Sequence, residues 1–144
     1  LSGYAVDTIE TAVDWKNVEK TMVSIEENIR NALNDENENV FVYSHLSHVY
    51  KQGSSIYTTY IFRIGNSYEE GMNRWKKIKE LGSKAILKAG GTISHQHGVG
   101  LDHKNYLVSE KGEIGIDTIN SIFACLDPSE IMNSGKLTHK SDNI

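Results

Sequence analysis

The sequence predicts an α+β fold of the ferredoxin-like kind: a split βαβ antiparallel sheet with helices on one face, plus an extra C-terminal helix. Three observations predict it. Ser55 to Ile64 alternates apolar and polar side chains, as a strand with one core face does. Val18, Met22, Ile25, Ile29 and Leu33 follow three- and four-residue steps, the spacing of one buried helical stripe. The elements read in the order strand, helix, strand, strand, helix.

Taken in turn, "YAVDTIETA" is rich in β-branched residues and is followed by Asp14, which predicts a first strand ending at a helix N-cap. In the helix after it, Lys16, Glu19, Lys20, Glu26, Glu27 and Arg30 fill the side opposite the apolar stripe. "NDENEN" is polar and turn-forming, and "VFVYSHLSHVY" has the apolar and aromatic bias of a second strand. "KQGSS" turns the chain into the third strand. There Ile56, Thr58, Tyr60, Phe62 and Ile64 point one way, and Ser55, Tyr57, Thr59, Ile61 and Arg63 the other. Ser67 with Glu70 forms a capping box, opening a helix through Met72, Trp75, Ile78, Lys79 and Ala85 that stops at Gly90-Gly91. Lys76, Lys77 and Lys79 read as its solvated face. A third helix is expected from about Ile114 to Leu126, ended by Asp127-Pro128, with "SEIMNSGKL" as a turn and "THKSDNI" as an unstructured tail.

A chain of 144 residues with 38% hydrophobic content supports one domain with its own core. Its net charge of −4 lacks the basic excess of a protein that neutralises phosphate backbones, so nucleic acid is not an expected partner. No apolar run approaches the roughly 18 to 20 residues that cross a bilayer, and "LSGYAVDTIE" has no signal-peptide character, which predicts a cytoplasmic protein. The chain opens at Leu1 without Met, in a segment that already reads as structured; it is expected to be a piece of something longer. Cys125 stands alone among apolar residues and is expected to be a buried structural thiol.

Chemistry concentrates in the histidines. His45 and His48 lie near the end of one strand, and His95, His97 and His103 fall in "GGTISHQHGVGLDH". Imidazole serves as acid, base or ligand near neutral pH, and glycine lets a backbone approach a ligand; the plainer alternative is turns and satisfied backbone groups. Zinc does not fit the spacing: there is no His-Glu-x-x-His, no Cys pair and no carboxylate between the histidines, so no metal is expected. His103 and His139 read as surface residues. Tyr57, sharing its strand face with Arg63, is a candidate proton donor or acceptor. "GVG" lacks the third glycine and the acidic partner of a dinucleotide fingerprint.

"GGTISHQHGVGLDH", with "LDPSEIMNSGKL" downstream, resembles the C-terminal part of FAD-linked oxidases of the vanillyl-alcohol oxidase type. "DTIETAVDW" and "HVYKQGSSIYTTYIF" resemble the alkyldihydroxyacetonephosphate synthase branch of that family and its bacterial relatives. The resemblance implies FAD, bound mainly by a separate N-terminal domain absent from this chain, over which the present chain lies as a substrate cap inactive alone. It implies exchange of the acyl group of acyl-dihydroxyacetone phosphate for a fatty alcohol. The alternatives are a dehydrogenase of a 2-hydroxy acid or glycerol 3-phosphate, and a stand-alone ferredoxin-like ligand-binding module.

The same resemblance implies Tyr57, His95 and His97 as catalytic residues and His48, Arg63 and Gln96 as substrate-binding residues, with Asn133 and Lys136 near the flavin. Gln96 replaces the middle of the synthase's three histidines, and an amide takes no proton at neutral pH. Metal-using hydroxyacid dehydrogenases of the group match at His48, but Tyr57 and Gln96 stand where their other two ligands fall. Ser134 replaces a proline in "MNSGKL". A phosphorylated or hydroxy-acid substrate and the flavin domain are the implied partners; a homodimer and a peripheral membrane contact are compatible with the resemblance.

Overall fold

The computed structural model describes residues 2–138. They belong to two compact units, Leu1–His95 and Gln96–Ile144.

The first unit holds β1 (Tyr4–Asp14), α1 (Val18–Arg30), β2 (Phe41–His45), β3 (Gly53–Arg63) and α2 (Tyr68–Lys88). Its sheet has the order β1-β3-β2, with β3 antiparallel to both neighbours. This is the expected βαββα arrangement. Ile9 of β1, Val42 of β2, and Tyr60 and Phe62 of β3 pack in one core with Ile25 and Ile29 of α1 and Ile78 and Ile86 of α2. Burying each such side chain contributes about 1.5–3 kcal/mol. Both helices therefore sit on one face, and the predicted inward rows of α1 and β3 are the buried ones from Val18 to Leu33 and Ile56 to Phe62, with Met22 half-buried.

Local chemistry sets the boundaries. Ser67 accepts from the N–H of Glu70, and the Glu70 carboxylate reaches back to the N–H of Asn66. At the other end of α2, Gly90 has φ +70°, its N–H donates to Leu87 O at 3.0 Å, and the Gly91 N–H donates to Ile86 O at 3.1 Å, a Schellman closure. Arg74, 6% exposed, ties α2 to two other segments. Its Nε donates to Glu36 at 2.7 Å, Nη1 to the Arg63 carbonyl at 2.9 Å, and Nη2 reaches Glu70 at 2.8 Å.

Two expectations about this unit change. β2 ends at His45, so His48 belongs to the β2–β3 connection, where only Val49 still bridges to Ser54. Lys79 is buried rather than solvated, because Asp7 of β1 lies inside its reach. The Asp7 carboxylate accepts from Lys79 Nζ at 3.1 Å, Trp75 Nε1 at 2.7 Å and the Tyr60 hydroxyl at 2.9 Å.

The second unit carries α3 (Lys104–Leu126), which starts ten residues before the expected Ile114, ends at Leu126 as expected, and is kinked at Gly112, whose φ of 70° is not helical. Asp127 stops it by accepting from the N–H groups of Ile131 and Met132. His103 is buried, not at the surface, and Cys125 is exposed, not a core thiol: the C-terminal half of α3 turns Ile122, Phe123 and Leu126 outward with it. His139 and most of "THKSDNI" lie outside the described residues. Among the described residues, no helix is long and apolar enough to cross a membrane.

Candidate functional site

No helix of the first unit covers the second face of the sheet. Register places its side chains in cross-strand rows: Ala12 with Ser55; Glu10 with Tyr57 and His45; Thr8 with Thr59 and Tyr43; Val6 with Ile61 and Phe41; Tyr4 with Arg63. Ionisable and hydroxyl groups gather at one end. Val6, Phe41 and Tyr43, all exposed, make the middle and far end apolar and aromatic.

Glu10 is the centre of the polar end. It points to the helix-free face yet is only 3% exposed, because the segment after α2 folds back along the outer edge of β1. Gly91 crosses β1 at touching distance: a methyl there would collide with the Thr11 hydroxyl. Thr92 N–H then donates to Ala12 O at 3.3 Å, the Thr11 hydroxyl to Thr92 O at 2.7 Å, and His95 N–H to Glu10 O at 3.1 Å. Ile93, 1% exposed, pins the segment down. The second glycine of "GGTISHQH" thus serves close packing, and the result is an imidazole placed on a carboxylate.

His95 Nδ1 lies 3.2 Å from Glu10 Oε1, and His48 Nδ1 lies 3.8 Å from the same oxygen. Ser47 donates to that oxygen, and Ser47 and Ser55 hydroxyls are 2.6 Å apart. The backbone of His48 is clamped by β3: its N–H donates to the Ser55 hydroxyl at 2.8 Å and its carbonyl accepts from Ser54 at 2.7 Å. Tyr50 completes the group, with its hydroxyl 3.0 Å from His95 Nε2 and its ring stacked on His48 at 6.3 Å between centroids. A carboxylate this buried is costly unless positive charge or hydrogen bonds compensate it, and two imidazoles and a hydroxyl converge on it.

The structure therefore brings His48 and His95 together, with Glu10 and Tyr50 as residues the sequence reading missed. Tyr57 shares the cross-strand row of Glu10 and is stacked on His45 at 5.2 Å between ring centroids, its hydroxyl 3.4 Å from Thr8 Oγ1. Arg63 is not beside it. Six residues along β3, about 20 Å at the usual rise, its Nε is 3.3 Å from the Tyr4 hydroxyl. Gln96, His97, Asn133 and Lys136 belong to the second unit and are exposed there. Gln96 adopts φ 61° and Asn133 φ 54°, and the Lys136 N–H donates to Asn133 O at 3.2 Å, closing the turn of "MNSGKL".

Comparison with known proteins extends these findings. Residues 1–137 match the family described as FAD linked oxidases, C-terminal domain. Alkyldihydroxyacetonephosphate synthase of Trypanosoma brucei brucei is 27% identical over 91% of this chain and 21% of its own length. The synthase of Dictyostelium discoideum is 29% identical over 96% of this chain and 23% of its own length. A solved alkyldihydroxyacetonephosphate synthase structure superposes with TM-score 0.60 at 21% identity, covering 91% of this chain and 20% of that one, a likeness of fold. The chain thus spans about a fifth of these larger proteins. With the helix-free sheet face, the histidine segment and the "MNSGKL" turn in place, the chain belongs to the FAD-linked oxidase C-terminal domain family.

Proposed function

We propose that this chain is the substrate-side cap of an FAD-dependent alkyldihydroxyacetonephosphate synthase-like enzyme, which exchanges the acyl group of acyl-dihydroxyacetone phosphate for a fatty alcohol. The observation that carries the reading is the graded sheet face: Glu10, His95, His48, Tyr50 and Tyr57 at one end, Val6, Ile61, Phe41 and Tyr43 toward the other. Such a face suits a molecule with oxygen-rich and alkyl parts, and the helix-free sheet suits a planar ring system. The synthase names of the relatives agree with it.

Each residue has a part in this proposal. Tyr57, in the row with Glu10 and His45, is placed to hold and pass the proton of the departing or entering oxygen. His95 faces Glu10 with one nitrogen and Tyr50 with the other, so it orients oxygen functions as a fixed group rather than a free shuttle. His97, exposed in the second unit, would exchange protons with the reacting oxygens, and Gln96 offers an amide for hydrogen bonding. His48 contributes to the substrate end, Arg63 to the far end. Asn133 and Lys136 would contact the flavin, which when bound supplies the electrophilic ring at which the exchange takes place.

The proposal includes a cytoplasmic enzyme and a homodimer. Exposed Ile114, Ile122 and Leu126 on α3 support burial against further protein, and light scattering on the full-length protein reads the oligomer. The deciding experiment gives that protein acyl-dihydroxyacetone phosphate and labelled fatty alcohol under anaerobic conditions. Labelled alkyl product with equimolar fatty acid and no lasting loss of flavin colour supports the synthase. Lasting bleaching by a 2-hydroxy acid or glycerol 3-phosphate, without exchange, replaces it with a dehydrogenase.

A further inference from the structure

The polar end of the sheet face has the composition of a cation site. Glu10 Oε1, His48 and His95 each present a ligand atom within 4.8 Å of the others, from three segments: β1, the β2–β3 connection and the run after α2. Bonds of about 2.0–2.1 Å to a tetrahedral zinc-type ion set neighbouring donors about 3.3–3.4 Å apart. The measured separations of 3.2 and 3.8 Å from Glu10 Oε1 bracket that value.

A second observation points to a ligand. His95 Nδ1 is fully buried, and although 3.2 Å from Glu10 it makes no aligned hydrogen bond. A ring that formed a simple ion pair would aim an N–H at the carboxylate oxygen. A buried ring nitrogen beside a carboxylate, off the line between them, is instead the arrangement in which a third body satisfies both. Its outer nitrogen meets the Tyr50 hydroxyl at 3.0 Å, the kind of contact that fixes the tautomer of a metal-bound histidine by holding the proton on Nε2. Ser47 holds the carboxylate, and the clamped backbone of His48 leaves that side chain 44% exposed. One side of the triangle is thus open to water or an incoming oxygen.

We propose that Glu10, His48 and His95 bind one divalent transition cation of the zinc class, with the open position taken by water or by an anionic oxygen of the substrate. This is not the set of the metal-using hydroxyacid dehydrogenases, which this chain matches only at His48. It departs from the expectation of no metal, which rested on the lack of His-Glu-x-x-His, of a Cys pair and of a carboxylate between the histidines; the carboxylate proposed here comes from β1, 38 positions before His48 and 85 before His95. The proposal stands apart from the synthase reading, since it concerns binding and not the exchange reaction.

The test uses full-length flavoprotein stripped with chelator, then dialysed against Zn²⁺ or Co²⁺ alone, with metal per chain counted by mass spectrometry and cobalt geometry read from its visible d–d bands. Wild type is expected to retain one more ion per chain than Glu10→Gln, with strong low-symmetry cobalt bands that the variant lacks, and to gain Tm with zinc. Tyr50→Phe should weaken affinity about tenfold, the lower end of what loss of an outer hydrogen bond costs. Retained flavin colour and circular dichroism check that Glu10→Gln folds; if it does not, His48→Gln in the half-exposed connection gives the same reading. Equal metal content in wild type and the folded variant, or cobalt bands identical to the hydrated ion, overturns the proposal. Exchange activity enters neither outcome, so failure of the synthase reading leaves this result interpretable.

Discussion

The Tyr50 hydroxyl sits 3.0 Å from Nε2 of His95, whereas the Tyr57 ring stacks on His45 at 5.2 Å between centroids. The two tyrosines should therefore separate in function. Tyr57→Phe in the full-length enzyme should lower kcat for exchange by about 100-fold, the low end for loss of a proton-transfer group. Tyr50→Phe should cost less, about tenfold, by loosening His95. Initial rates of alkyl product formation decide it; equal losses would remove the distinction between them.

Asp7 makes stability fall in acid. Burial raises its pKa, but the Trp75 hydrogen bond, the Lys79 charge, the Thr8 N–H and the Tyr60 hydroxyl together bring the carboxyl below its ordinary 3.8. A lowered folded value means stabilisation that is complete above 3.8 and is lost as the pH falls through the folded value. Asp7→Asn should lower stability by about 2–4 kcal/mol near neutrality, leaving Lys79 buried without its counter-charge. Its apparent Tm, followed by tryptophan fluorescence, should then fall less steeply than wild type as the pH is lowered below 3.8.

Arg74 should be sensitive to geometry as well as charge. Arg74→Lys keeps the cation but cannot serve Glu36, Glu70 and the Arg63 carbonyl at once, and should cost about 1–2 kcal/mol. Arg74→Ala also loses packing and should cost about 3 kcal/mol. Hydrogen exchange at the α2 amides would read both, and a neutral lysine variant would show that the fork is not needed.

Gly91→Ala tests the placement of the histidine segment. The added methyl must displace Thr11 or the segment itself, an overpacking of about 1–3 kcal/mol. Faster exchange at the Thr92 and His95 amides, with α2 unchanged, is the expected signature.

Much of the fold was legible because period and burial agree. The stripe from Val18 to Leu33 and the alternation from Ile56 to Phe62 carry their own geometry, and Ser67 with Glu70 marks where α2 opens. Glu10 was not legible. A charged residue in an alternating strand reads as solvent-facing, but the return of residues 91–95 over the edge of β1, with Ser47 and His48 of the β2–β3 connection, covers it. Lys79 misled for the matching reason: its burial depends on Asp7, 72 positions away. Cys125 followed apolar neighbours into an expected core that α3 does not make, since Leu126 beside it is also exposed.

The edge of β1 has a consequence for solubility. Its successive outward carbonyls at Thr8, Glu10 and Ala12 are taken by Lys79 Nζ, His95 N–H and Thr92 N–H. A strand at the rim of a sheet ordinarily offers such groups to any other extended chain. Here the rim is sealed by a lysine and by the same short segment that carries His95. Loosening that segment would unmask a template for intermolecular pairing, so variants that open it should aggregate as they lose their histidine geometry.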